Sequence, residues 1–208
     1  MDDDRGDARV PLDWAVAHQV VAGETESGDA HLVHPTRDGC LVGVVDGLGH
    51  GPAAAAAARV AIATLTHHAE EPVLTLVQLC HEALTGTRGA VLSLARVNTA
   101  HHSLTWIGVG NVTGLLWFAG ATGRAAQATL LPSAGIVGSE LPRLRAEVLA
   151  LTSGDTLVFA TDGIDERFAQ THPNAASPQR LADAILADHA KGTDDALVLV
   201  GRYGRTTG

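Results

Sequence analysis

Twice in this chain an apolar run ends directly on Asp-Gly: Leu41-Val42-Gly43-Val44-Val45-Asp46-Gly47 and Leu157-Val158-Phe159-Ala160-Thr161-Asp162-Gly163. No other feature limits the fold as much. Each run reads as a buried strand, and each Asp-Gly holds one carboxylate at a strand tip with flexible glycine backbone beside it. A third acidic step, Asp194-Asp195, stands immediately before the apolar run 196–200. Aspartates at the ends of core strands point to a site for a hard metal ion.

A chain of 208 residues can form one domain with a substantial core. Hydrophobic residues make up 46% of it but aromatics only 3%, so that core must be built from Val, Leu, Ile and Ala. The formal charge of −9 argues against nucleic acid and anionic membrane as partners, because both require a positive field. Cys40 and Cys80 lack metal-type spacing and read as small core residues of a reducing compartment. Met1-Asp2-Asp3-Asp4-Arg5 has no apolar stretch of the kind a signal peptide needs. The most apolar stretch, 53–65, is mostly Ala and carries Arg59, so no membrane span is expected. These features describe a soluble cytoplasmic protein, with a frayed N-terminus at 1–10 and a single domain over 11–204.

The patterning predicts strands at 14–21, 30–34 and 41–45, with a turn at 35–39 between the last two. Pro52 suits a first helical turn, and 53–68 follows as a helix of very high propensity. Glu71-Pro72 restarts a second helix, striped by Val73, Leu76, Val77, Cys80 and Leu84 at helical spacing. Strands are then expected at 90–97, 103–109, 113–118, 127–131, 145–149 and 156–160. In this reading Gly108-Val109-Gly110-Asn111 is a hairpin turn. A helix at 179–189 and a strand at 196–203 close the chain. Strands and helices in separate blocks favour an α+β layered sandwich over a doubly wound parallel sheet.

Four aspartates at strand ends or starts are candidate metal ligands: Asp29 in Ser27-Gly28-Asp29, then Asp46, Asp162 and Asp194. Crowded carboxylates repel, and at least one must take up a proton unless a cation removes the conflict. All-oxygen ligation suits Mg²⁺ or Mn²⁺ better than Zn²⁺. A single Asp-Gly after an apolar strand is usually just a turn. Two of them, with Asp-Asp before a third strand, make that reading much weaker, although composition alone does not bring them together in space.

The order and wording of these motifs resemble a known family. Ser27-Gly28-Asp29-Ala30, Val45-Asp46-Gly47-Leu48-Gly49-His50-Gly51, Ala160-Thr161-Asp162-Gly163-Ile164-Asp165-Glu166 and Gly192-Thr193-Asp194-Asp195-Ala196 look like the metal-dependent PPM-type (protein phosphatase 2C-like) serine/threonine phosphatases. Within them the pattern is most similar to the bacterial SpoIIE/RsbU/RsbX branch, and there to its stand-alone RsbX members. The resemblance implies an α-β-β-α sandwich with two central antiparallel sheets between helical layers. It implies two divalent cations, Mn²⁺ or Mg²⁺, bridged by Asp46 with one held by the Gly47 carbonyl. Asp162 and Asp194 would complete the second ion's shell, with Asp194 matching better than Asp195, and Asp29 would hold the ions or their waters. Asp46, Asp162 and Asp194 thereby become the catalytic set. No arginine matches the phosphate-clamping one of the eukaryotic members, so the contacts to substrate phosphate are left unassigned.

The activity implied is hydrolysis of phosphoserine or phosphothreonine by a hydroxide that two metal ions activate, without a phospho-enzyme. The substrate would be a phosphorylated STAS-domain protein of an anti-anti-sigma or stressosome-type pathway, in stress response and sigma factor regulation. Two alternatives compete: a non-catalytic adaptor that keeps the fold, and a small-molecule or nucleotide phosphohydrolase. The oligomeric state is open, with a monomer as the simplest form. His50 reads first as a structural or exposed side chain and second as a group that donates a proton or orients a water. Asp165 and Glu166 read equally as solvated charges or as supports for Asp162. Gly47-Leu48-Gly49-His50-Gly51 lacks the Gly-Lys-Ser/Thr ending of a nucleotide loop.

Overall fold

The computed structural model of the chain describes residues 10–121, 127–170 and 176–204. Apart from Val10, the expected frayed N-terminus lies outside the described residues. Three strands come first: β1 (Leu12–Gln19), β2 (Asp29–Thr36) and β3 (Gly39–Gly47). Helices α1 (Pro52–His67) and α2 (Val73–Leu84) follow. Then come β4 (Ala90–Asn98), β5 (Ser103–Val109), β6 (Thr113–Trp117), β7 (Gln127–Leu130), β8 (Glu147–Ala150) and β9 (Thr156–Ala160). A short 3-10 helix (Glu166–Gln170), α3 (Pro178–His189) and β10 (Ala196–Tyr203) complete the order.

The strands form two five-stranded sheets, β1-β10-β9-β6-β7 and β2-β3-β4-β5-β8, with every pairing antiparallel. Three apolar layers hold them. Leu65, Leu76, Val77 and Leu84 of α1 and α2 pack with Leu41, Leu92 and Ile107 on the outer face of the second sheet. Val42, Val44, Trp106, Leu116, Phe159 and Leu199 fill the space between the sheets. Leu181 and Ile185 of α3 pack with Val158, Val198 and Val200 on the outer face of the first sheet. The architecture is the α-β-β-α sandwich. Strands covered on both faces need apolar residues in succession, which is why β3, β9 and β10 read as unbroken runs.

One expectation fails. Gly108-Val109-Gly110-Asn111 is not a hairpin turn, because β5 and β6 belong to different sheets. Val109 and Val112 are both fully buried. Gly110, at φ +99°, packs against the Val91 side chain, where a Cβ would not fit. The short link therefore crosses from one sheet to the other between two buried valines, with Asn111 exposed, and Ser93 Oγ donates to the Val112 carbonyl at 2.9 Å to receive it. The run of strands expected from 90 to 160 is split between the two sheets at this point. β7 and β8 then edge opposite sheets.

Helix α1 begins where the glycines of 47–51 need it to. Gly51, at φ +74°, caps the helix, and Pro52 occupies its first turn. A Cβ on Gly47 would run into the Ala54 backbone, and one on Gly28 would lie 2.9 Å from the Ala54 Cβ. Only glycine lets β2, β3 and the alanine helix meet so closely. The two cysteines lie in different layers, Cys40 between the sheets and Cys80 on the buried face of α2. Burial pushes both thiols up to about 12, so they are inert core residues.

Candidate metal centre

Strand register brings the acidic residues together. Asp29 at the start of β2 pairs with Asp46 near the end of β3. Directly opposed residues of an antiparallel pair project from the same face, so these two carboxylates are neighbours. On the other sheet β9 and β10 run antiparallel, with Ala160 opposite Val198. Asp162 just past β9 and Asp194 just before β10 therefore share one end of that sheet. The site is built from both sheets, with Asp29 and Asp46 on one and Asp162 and Asp194 on the other.

Electrostatics tie the groups into one cluster. Burial pushes the Asp46 carboxyl up from the ordinary 3.8 to about 8, and Asp29, Asp162, Asp194 and Asp195 add repulsion in that order. Burial likewise raises Asp29 to about 7, against the opposing hydrogen bond from Thr161, with Asp195, Asp162 and Asp194 repelling. Among the described residues neither carboxyl forms an ion pair with an arginine or lysine. Removing two acids from water without a counter-charge is unfavourable unless they bind protons or a cation.

Each remaining polar group near the cluster has a traceable job. Thr161 Oγ1 donates to Asp29 Oδ2 at 2.7 Å and accepts from the Leu197 N–H at 2.9 Å, which stitches one sheet to the other. Asp195, fully buried, accepts from the Val21 N–H at 2.8 Å and the Gly28 N–H at 2.7 Å. Both of its oxygens are therefore occupied in holding the β1–β2 loop against β10. Among the described residues Asp194 accepts only the neighbouring Asp195 N–H, on Oδ1 at 2.9 Å. The Gly47 N–H donates to the Gly28 carbonyl at 3.0 Å.

Asn111 escaped the sequence reading. Its amide donates to Asp162 Oδ2 at 2.8 Å, and Lys191 Nζ donates to the Asp162 carbonyl at 2.6 Å. Both orient the Asp162 turn. The signal for Asn111 was hidden because Gly-Asn reads as a hairpin, whereas the link that carries it crosses between the sheets. Asp165 turns away to Arg167, with two contacts of 2.9 Å that hold its carboxyl down at about 2. His50 is exposed and meets Glu24 at 2.6 Å.

The donor set suits hard cations: carboxylates and backbone carbonyls, with no sulfur or imidazole among the residues that converge. Among the described residues no three His, Cys, Asp or Glu side chains already close to ligand spacing. Mg²⁺ does not require such a cage, since it keeps several waters and takes only one or two carboxylates. The uncompensated Asp29–Asp46 pair fits that demand.

The family model for stage II sporulation protein E (SpoIIE) matches residues 36–203. The chain belongs to the SpoIIE family. It is 22% identical over 181 residues to phosphoserine phosphatase RsbX of Bacillus subtilis (strain 168), a match covering 86% of this chain and 89% of that protein. Among solved structures it superposes with a TM-score of 0.82 and 30% identity on a chain from work on the bacterial stressosome as a modular system adapted to control secondary messenger signaling, covering 92% of this chain and 99% of that one. RsbX in complex with magnesium superposes equally well, with a TM-score of 0.82 at 20% identity, over 93% of this chain and 96% of that one. The shared fold is that of the PPM phosphatase structures. Among the described residues no helix is long and apolar enough to cross a membrane.

Proposed function

We propose that this protein removes phosphate from phosphoserine or phosphothreonine on a signalling protein, with two divalent cations, Mg²⁺ or Mn²⁺, held at the Asp29–Asp46–Asp162–Asp194 cluster. The observation that carries this reading is the Asp29–Asp46 pair: two neighbouring carboxylates pushed up by burial and, among the described residues, in no ion pair with a basic side chain. Asp46 and the Gly47 carbonyl, at the tip of β3, would serve the ions jointly. Asp162 and Asp194 would serve from the other sheet, and Asp29 would hold the ions or their waters. The free outer oxygen of Asp194, beside the saturated Asp195, supports Asp194 as the ligand of that pair.

When bound, such cations supply a nucleophile near neutral pH and neutralise charge on the phosphoryl group. The chain's own residues position that chemistry. Asn111 and Lys191 fix the Asp162 turn, Thr161 fixes Asp29, and Asp195 fixes the loop that ends in Gly28. Residues 11–204 act as one catalytic domain in this reading. The substrate is a phosphorylated STAS-domain protein in a cytoplasmic stress or sigma-factor pathway, a proposal that rests on the likeness to RsbX and to the stressosome chain.

The test is hydrolysis of para-nitrophenyl phosphate with Mn²⁺, with Mg²⁺ and with excess chelator, followed by phosphorylated STAS-domain proteins and nucleotides. Metal-dependent release of phosphate from a phosphoprotein in preference to nucleotides is expected. No turnover with any metal would instead indicate a non-catalytic adaptor, and a preference for nucleotides would indicate a small-molecule hydrolase.

A further inference from the structure

The glycine loop that follows Asp46 has a cation lying over it. Gly49 stands three residues beyond Asp46, at φ +84°, and a Cβ built there would lie 2.8 Å from Arg88 Nη1. Arg88 is exposed and comes from the link between α2 and β4. Its guanidinium makes no hydrogen bond and no ion pair among the described residues. The other basic side chains placed near this edge are engaged: Arg59 with Glu26 at 2.8 Å, Arg167 with Asp165, and Lys191 with the Asp162 carbonyl.

The backbone under Arg88 is fixed on both sides. Thr87 Oγ1 donates to the Leu84 carbonyl at 2.6 Å and accepts from the Gly89 N–H at 3.0 Å. The Gly89 carbonyl accepts from the Leu48 N–H at 3.1 Å, which fastens this link to the Asp46 loop itself. Gly89, at φ +80°, is packed against Ile136 and the Val137 carbonyl, with no space for a side chain. Ala90 and Val137 then exchange hydrogen bonds of 3.0 and 2.9 Å. A free guanidinium is thus presented from a rigid base at the rim of a strongly acidic site. A planar guanidinium matches a phosphoryl group with two parallel hydrogen bonds, which a single ammonium does not.

We propose that Arg88 binds the phosphoryl group of the phosphoprotein substrate at the rim of the metal site, so that the chain provides its phosphate-recognising arginine from the α2–β4 link. This rests on the phosphatase reading and deepens it. The guanidinium also counters the repulsion that a phosphate dianion meets from a chain of net charge −9.

The experiment compares the parent protein with Arg88→Ala and Arg88→Lys, with Mg²⁺ or Mn²⁺ present, using para-nitrophenyl phosphate, a phosphoserine peptide and inorganic phosphate as probes. Arg88→Ala is expected to raise KM for both substrates and to weaken inhibition by inorganic phosphate by about tenfold, the scale of a lost charge-assisted hydrogen-bond pair. Metal requirement and melting temperature should stay at parent values, and Arg88→Lys should recover part of the phosphate affinity. Unchanged phosphate inhibition in Arg88→Ala would overturn the assignment, whatever happens to kcat. If the parent hydrolyses nothing with either metal, the phosphatase reading falls by itself. Calorimetric titration of inorganic phosphate into the Mg²⁺-loaded parent and Arg88→Ala then decides Arg88: lost binding upholds the anion site, and equal or absent binding removes it.

Discussion

Strand β9 has an aspartate at each end, and the two have opposite surroundings. Asp155, just before the strand, is fully buried and accepts backbone N–H groups from Ala119 and Thr152, each at 2.7 Å. Its charge is satisfied by the fold, and it acts as a clasp. Beyond the other end, Asp162 joins Asp29, Asp46 and Asp194, where among the described residues only Thr161 and Asn111 donate from a side chain to a carboxylate and two carboxyls are pushed far above their ordinary range. Buried acids are therefore not alike. An acid supplied with backbone donors stabilises the fold, whereas acids short of donors create a demand that a divalent cation meets. Asp195 shows that both kinds can sit side by side, since it is saturated like Asp155 while its neighbour Asp194 is not.

The most severe way to break this contrast is Asp46→Asn. Metal-dependent turnover of para-nitrophenyl phosphate should vanish, while the metal-free protein melts higher than the parent at pH 8 because a repelling carboxylate is gone. Turnover at the parent level would remove Asp46 from the site. Asp155→Ala should do the reverse. It removes the acceptor of two part-buried N–H groups and should cost about 2 kcal/mol in denaturant unfolding, with metal affinity by calorimetry unchanged in the protein that remains folded.

A pH series probes the same difference without mutation. Asp29 and Asp46 have folded-state values near 7 and 8, raised above the ordinary 3.8. Groups raised in this way bind more protons in the folded state, so the stability they lend is complete below about pH 4 and is lost as pH rises through 7 to 8. Scans of the chelator-treated protein should show melting temperature falling across that window. The gain on adding Mg²⁺ should grow over the same range, and a gain independent of pH would argue against these two acids as the ones relieved. Smaller effects follow further out. Asn111→Ala should weaken metal affinity by about tenfold, as is usual for residues that orient a ligand, with little change in melting temperature. Arg59→Ala, which opens an exposed ion pair with Glu26, should change stability by less than about 0.5 kcal/mol.

Most of the architecture was legible because it is written in local patterns. Strands β5, β9 and β10 fall where the apolar runs place them, and α1 starts at the Gly51-Pro52 step. The membership of each sheet was not legible. Pairings such as Leu12 with Tyr203 or Asp29 with Asp46 depend on register between separated strands, and the Gly110-Asn111 link looks like any surface turn until Val109 and Val112 are seen to be buried. The same limit applied to the candidate site. Asp29, Asp46, Asp162 and Asp194 stood out because each adjoins a strand end. Asn111 and Arg88 did not, because what marks them is a contact with a residue 51 positions away in one case and with a glycine loop in the other. Asp194 and Asp195 look equivalent as letters and are separated only by which of them the backbone has already engaged.

The Thr161 stitch has a mechanical meaning. Two of the four carboxylates ride on one sheet and two on the other, so their separation measures how one sheet sits upon its partner. A core change far from the edge, such as Phe159→Leu between the sheets, would let the layers settle by a fraction of an ångström and alter the jaw width at the rim. The interior of this sandwich is in effect the calliper that sets the spacing of the four carboxylates.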